Sequence, residues 1–289
     1  MTGNVPQVPD PDEVRAGVRE RWEGSAEGWR ANSERFNAIA MPVAQWLIDA
    51  IEPQPGQRVL ELAAGLGETG FLVAELLQPG GVLVSSDGAE AMLRFARERA
   101  EQLGLRNVEF KPIDLEWIDA GTAEFDAVVC RFGYMFALDR EAALRETRRV
   151  LRPGGHVALA TWAEHERNPW AHATRCALYD AGLIDQVELP PPSAFDMNSP
   201  RLLTELLQDA GFNDVETAEV EVAFPYTSVD ELHAQTIALS KPYADLVGGL
   251  GERQLTDLRE RLARAAQTYR QPDGSLLFPG VALCATAEA

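Results

Sequence analysis

The chain has 289 residues, enough for one large domain or one domain with a lid. Its formal net charge of −19 repels phosphate backbones, so no nucleic-acid partner is expected. No apolar run approaches the ~20 residues that cross a bilayer, and the polar start MTGNVPQVPDPDEVR has no signal-peptide core, so the expectation is a cytoplasmic protein with no membrane attachment.

Residues 11–52 are predicted helical: apolar positions recur at helical spacing in MPVAQWLIDAI, and EPQPG stops the pattern. The period then changes. RVLELAA (58–64) is a short apolar run, as expected of a buried parallel strand, and ETGFLVAELLQ (68–78) is amphipathic. Strand GVLVSSD (81–87) leads to helix AEAMLRFARERAEQL (89–103). Strands NVEFKPI (107–113) and FDAVVCRF (125–132) follow, then helix REAALRETRRVL (140–151) and strand GHVALATW (155–162). The Pro153-Gly154-Gly155 stretch reads as a tight lead into that strand. Strands alternating with helices imply a doubly wound, Rossmann-like, mostly parallel α/β sheet.

After residue 163 the rhythm breaks. NPWAHATRCALYDAGL (168–183) reads as helix, LPPPSAFDMNSP (189–200) as loop, and SPRLLTELLQDAGF (199–212) as helix. DVETAEVEVAFPY (214–226) alternates like a strand, 228–270 is helical again, and SLLFPGVALCATAE (275–288) is a final strand, expected to run antiparallel as about the seventh. The expected organisation is an N-terminal helical cap (1–52), a Rossmann-like core (53–163), a helical lid insert (164–198) and the rest of the sheet (199–289) carrying a second insert at 228–271.

The chemistry centres on VLELAAGLGETG (59–70), whose glycines have the spacing G-x-G-x-x-G. A triphosphate loop would need a lysine and a hydroxyl after Gly70, and Phe71-Leu72 supply neither. A dinucleotide site stays open, because the loop follows a strand and Asp87 ends the next one, where a carboxylate can hold ribose hydroxyls. No tyrosine is followed four residues later by lysine, so one common dehydrogenase proton relay is absent. S-adenosylmethionine is the other cofactor that fits. Glu61, Asp87 and Asp114 fall at the C-terminal ends of consecutive strands, and three carboxylates suit a cationic sulfonium and ammonium better than an anionic pyrophosphate. Cys130, Cys176 and Cys284 lie far apart, with no metal-ligand spacing, so no metal is expected.

Five ordered stretches carry a resemblance: VLELAAGLGETG, SSDGAEAMLRFARERA, KPIDLEW, FDAVVCRFGYMF and ETRRVLRPGGHVALATW. Together they resemble the class I S-adenosylmethionine-dependent methyltransferases, most closely the small-molecule branch with the ubiquinone and menaquinone enzymes. The likeness spans about residues 20–163, with weaker echoes in ERNPW (166–170) and LLQDAGFNDVE (206–216). It implies methyl transfer to a small acceptor and gives each matching residue a role. Glu61, Gly65 and Gly67 would line the methionyl part and ribose. Asp87 would bind the ribose hydroxyls, with Gly88 beside it and Met92 on the adenine. Asp114 and Leu115 would hold the adenine amino group and cover its ring. Arg131 and Phe132 would face the methionyl end, and Trp22 and Trp29 would cap the cofactor. Two residues depart from the family pattern: Arg30 stands where an acid often follows the second aromatic, and Gly88 where an apolar residue often follows the acid.

Methyl transfer needs mainly proximity and alignment, and a neutral oxygen nucleophile also needs a base. His165 and His172, flanking NPW, are weak candidates for one. Trp162, Trp170, Tyr134, Met135 and Phe136 suggest a hydrophobic or aromatic acceptor, and they would serve equally as lid core. Gly70 suits helix packing as well as ligand contact. The oligomeric state stays open, with a homodimer one option. An NAD(P)-dependent oxidoreductase and a non-catalytic cofactor-binding protein of the same fold remain the alternatives.

Overall fold

The computed structural model describes residues 10–289; residues 1–9, which hold most of the polar start, lie outside the described residues. The predicted N-terminal helix is one continuous element, α1 (Pro11–Ile51). Asp10 caps it by accepting the Asp12 N–H, Pro11 begins it, and Glu52 ends it in the left-handed region just before Pro53. Its last turns bury Val43, Ala44, Leu47, Ile48 and Ile51, while its middle carries Trp22, Trp29 and Phe36 across the top of the sheet.

The core alternates as predicted: β1 (Arg58–Glu61), α2 (Glu68–Leu76), β2 (Val82–Asp87), α3 (Glu90–Leu103), β3 (Val108–Pro112), β4 (Phe125–Arg131), α4 (Arg140–Val150) and β5 (Leu151–Trp162). Beyond it lie α5 (Pro169–Asp180), α6 (Pro200–Asp209), β6 (Asn213–Tyr226), α7 (Val229–Leu239), α8 (Lys241–Gly248), α9 (Glu252–Ala265) and β7 (Leu276–Glu288). Seven strands form one sheet in the order β3-β2-β1-β4-β5-β7-β6, and β7 alone runs antiparallel to its neighbours. β1, β2, β4 and the second half of β5 are buried on both faces, which is why their sequences read as apolar runs, whereas the edge strand β3 is only partly buried. The order reverses between β1 and β4, so their C-terminal ends form the switch-point crevice where open α/β sheets take ligands.

Two local readings change. Pro153-Gly154-Gly155 lies within β5: pairing with β4 jumps from Phe125–Leu151 to Ala127–His156, and Gly154 takes φ 78° in the excursion. The second helical insert is three helices. Ser240 ends α7 and its side chain caps α8, and Gly249 and Gly251 separate α8 from α9. α1 packs tightly on this insert. A Cβ on Gly28 would lie 1.6 Å from the Ala238 carbonyl oxygen, and one on Gly24 would lie 2.4 Å from the Lys241 chain. Small residues in WEGSAEGW therefore let two backbones meet.

Candidate active site

A cavity of about 700 Å³ opens over the C-terminal ends of β1, β2 and β4, roofed by α1 and walled by α5, β6 and α8. Of the residues singled out for the cofactor, Trp22, Trp29, Glu61, Gly65, Asp87, Gly88, Met92, Asp114, Leu115, Arg131 and Phe132 all line it. Gly67 does not. It caps α2 at φ 78°, and a Cβ there would strike the Phe71 ring.

Glu61 ends β1 and is 3% exposed. Its carboxylate accepts the Gly70 N–H at 2.7 Å and the Ser85 hydroxyl at 3.0 Å. Burial outweighs these bonds and pushes its pKa up to about 7. A Cβ on Gly70 would sit 2.0 Å from the Glu61 carboxylate, so Gly70 leaves room for an acid against the first turn of α2. Asp87 ends β2. One oxygen accepts the Gly65 N–H at 2.8 Å, the other the Ala89 N–H at 2.8 Å. Burial, with Glu23 nearby, raises its pKa to about 6. Asp87 lines the cavity, where acceptor capacity not used by these N–H groups can meet a ligand.

Arg131 ends β4 with a side chain 9% exposed. Its Nη2 lies 3.4 Å from Glu68, and its Nη1 is buried without a partner among the described residues. Burial pushes its pKa down, against the pull of Glu68 and Glu61. Thr69 Oγ1, Trp29 Nε1 and Thr174 Oγ1, also on the cavity wall, are buried and unpartnered among the described residues too. Buried polar groups without partners are uncommon, and four on one cavity mark a place where a polar ligand completes the bonding. Backbone strain collects in the same place: Ala63 after β1 has φ 50° and Phe132 after β4 has φ 63°.

Met92 is 3% exposed and shares a small cluster with Ala26, Leu66, Ala89 and Phe95, covered by Trp22 and Trp29. Asp114 spends one oxygen on the Glu116 N–H, and Arg19 lies 3.9 Å from the other. Around Gly88 a Cβ would meet only the Ile113 oxygen, at 4.0 Å, so the missing apolar side chain leaves open space. Arg30 turns away from the cavity onto Glu98, 2.9 Å distant, and over the Phe95 ring.

The far wall is aromatic. Phe132 stacks on Trp162 with ring centroids 4.1 Å apart, Trp162 meets Trp170 at 5.3 Å, and Trp170 stacks on Phe224 at 4.7 Å. Met135 and Phe136 line the cavity as expected, whereas Tyr134 is fully buried core, bonded to Thr147. Neither histidine candidate reaches the cavity: His165 lies 3.3 Å from Glu166, and His172 Nε2 lies 3.2 Å from the Cys176 sulfur.

The sequence reading missed several contributors. Thr69 sits inside the quoted motif, in the first turn of α2, where a hydroxyl has no distinguishing spacing. Glu23 caps α3 from across the chain through the Ala91 N–H at 3.0 Å, and Arg35 pairs with Glu231 at 2.8 Å over the Tyr226 ring. Both are contacts between distant segments, which local spacing does not encode.

Comparison with known proteins agrees with this architecture. A ubiquinone/menaquinone biosynthesis C-methyltransferase of Escherichia coli is 29% identical over 187 residues, covering 60% of this chain and 72% of that protein. An uncharacterized protein of Mycobacterium tuberculosis is 33% identical over 124 residues, 43% of this chain; the chain thus spans only 44% of that relative's length. The crystal structure of the YcgJ protein from Bacillus subtilis superimposes with a TM-score of 0.59 at 17% identity, covering 85% of this chain and 97% of that one. The model of a methyltransferase domain family matches residues 53–211, more than half the chain, and the chain belongs to that family.

Proposed function

We propose that the protein transfers a methyl group from S-adenosylmethionine to a small, apolar or aromatic acceptor. One observation carries the reading: a single cavity joins an end lined by Glu61, Asp87 and Arg131 to an aromatic wall of Phe132, Trp162, Trp170 and Phe224. The cofactor supplies an activated methyl group. The chain's own residues then bind and align.

The donor set fits the cofactor. Asp87 presents two acceptors for the ribose hydroxyls, held in place by the Gly65 and Ala89 N–H groups. Glu61 offers a negative charge to the methionyl ammonium, and the orphaned Nη1 of Arg131 awaits a carboxylate. Met92, Leu115, Trp22 and Trp29 give the adenine an apolar slot. Asp114 stands at its edge.

The same geometry weighs against a dinucleotide. A pyrophosphate would sit on the first turn of α2. There Glu61 already takes the Gly70 N–H, and Glu68 stands in the same turn. Two carboxylates would repel it.

Among the described residues no histidine lines the cavity, and burial raises the phenols of Tyr226 and Tyr243 to about 12. No group at the acceptor end is poised to take a proton near neutral pH. The acceptor atom is therefore nucleophilic as it arrives, and the rate comes from proximity and alignment within a water-poor pocket.

The test has two arms. Calorimetry with S-adenosylhomocysteine reads the cofactor end, and labelled-methyl transfer into fractionated small-molecule extract reads the acceptor end. No binding of the homocysteine product at millimolar concentration overturns the reading. Binding without transfer to any fraction favours a non-catalytic protein of the same fold.

A further inference from the structure

Charge is segregated along the cavity. The carboxylates on its wall are Glu61, Glu68, Asp87, Asp114 and Glu116, all on the sheet side proposed to hold the cofactor. Neither α1 nor any residue from Trp162 onward contributes an acid to the wall. In a chain with 45 acidic residues, that half of the cavity is free of them. Its cations there are Arg21 and Arg35 from α1, Arg175 from α5 and Lys241 from α8, while Arg15 and Arg19 of α1 reach back to Glu116 and Asp114.

Two of these cations have no carboxylate partner. Arg35 pairs with Glu231, and Lys241 with Asp245. Arg175 is bonded only to the backbone carbonyls of Gln186, Val187 and Glu188. Arg21 makes no hydrogen bond and no ion pair among the described residues, although it is half-buried. It stands one turn along α1 from Gly24 and Ser25, which abut Lys241, so it faces the acceptor end beside α8. Burial alone pushes its pKa down: the charge has lost part of its water and gained no counter-ion among the described residues. A bound anion offsets that partial loss.

Resting on the methyltransferase reading, we propose that the acceptor is an anion: an apolar or aromatic body bearing a carboxylate or phosphate, whose charge is received by Arg21. The body lies on the Trp162–Trp170–Phe224 wall. The anionic head reaches the α1–α8 side. A cationic amine finds no acid there to balance it, so amine acceptors are disfavoured by charge rather than by size.

Four probes of one shape test this: 2-naphthoate, 2-naphthyl phosphate, 2-naphthamide and 2-naphthylmethylammonium. Each is titrated into the protein saturated with S-adenosylhomocysteine, with tryptophan fluorescence as the readout. At least one of the two anions should bind about tenfold or more tightly than the amide, and the ammonium most weakly. Comparing the two anions identifies the head group. Arg21→Gln should abolish the preference while leaving the affinity for the amide and for S-adenosylhomocysteine unchanged, and Arg21→Lys should restore part of it. Failure of both anions to bind at millimolar concentration, equal binding of all four, or an anion preference that survives Arg21→Gln overturns the proposal. If S-adenosylhomocysteine itself does not bind, the methyltransferase reading fails; if it binds and the probes do not discriminate, only the anionic acceptor does.

Discussion

The two ends of the cavity are built differently. The proposed cofactor end joins the tips of β1, β2 and β4 to Trp22 and Trp29 of α1, and backbone groups hold its acids in place: Gly70 N–H on Glu61, Gly65 and Ala89 N–H on Asp87. The proposed acceptor end adds α1, α5, β6, α7 and α8 to Phe132 and Trp162 at the ends of β4 and β5, and side chains make its wall. A site made of strand ends and tight turns constrains sequence locally, because only certain residues fit the turn. A site made where distant helices meet constrains only apolarity and size.

The sharpest way to break this contrast is at Asp87. Asp87→Ala removes both ribose acceptors and leaves the Gly65 and Ala89 N–H groups without a partner. Affinity for S-adenosylhomocysteine should fall by about 3 kcal/mol or more, roughly 100-fold, by calorimetry. A loss under fivefold would mean that the carboxylate is not the ribose ligand.

Gly28→Ala attacks the other end. The new Cβ would lie 1.6 Å from a backbone oxygen of α7, so α1 and the second insert must separate. We expect a loss of about 2–3 kcal/mol in denaturant unfolding. A neutral result would show that α1 docks loosely.

Arg131→Met tests the methionyl end alone. Affinity for S-adenosylhomocysteine should drop by about 10- to 50-fold, the value of a charged hydrogen bond in a buried site. Affinity for 5′-methylthioadenosine, which has no carboxylate, should change little. Parallel losses for both ligands would make Arg131 a structural partner of Glu68.

The pH dependence is smaller and has a defined sign. Glu61 is raised to about 7 in the folded chain, from an ordinary value of 4.5. Between these values the folded state holds more protons than the unfolded one. The contribution of Glu61 to stability is thus full below about 4.5 and is lost as pH rises through about 7. Glu61→Gln should flatten that slope in unfolding free energies measured at pH 5.5 and 7.5. Binding a cationic ammonium favours the ionised form. Affinity for S-adenosylhomocysteine should therefore weaken roughly tenfold from pH 7.5 to 6 in the wild type, and less in Glu61→Gln.

Legibility in the sequence followed the same division. β1, β2, β4 and β5 were readable because each carries an apolar run buried on both faces, and β2 closes on Asp87-Gly88. Glu61 stood out as an acid inside an apolar strand. The break into α7, α8 and α9 was not readable, because Ser240 and Gly251 act through caps whose partners, Tyr243 and Gln254, look like ordinary helix residues. Tyr134 looked like pocket surface because it adjoins Met135 and Phe136, yet a 3₁₀ turn rotates it into the core. Nothing in the local sequence around Arg21 sets it apart from the other arginines of α1. Its isolation appears only once every acid near it has been placed.

The smallest expected effect belongs to His165 and His172. Their ring centroids lie 4.9 Å apart, and burial together with His165 holds the His172 pKa down. Neither lines the cavity, so neither can reach an acceptor atom without a large rearrangement of the 164–172 segment. His165→Ala and His172→Ala should each leave methyl transfer within about twofold of wild type, with an unchanged pH profile, because a general base typically contributes 10²–10⁴-fold. A loss of that larger size, with the acid limb of the profile removed, would show that the lid closes far enough to carry a histidine to the acceptor. The contrast between a backbone-built end and a passive acceptor wall would then hold only for the open form.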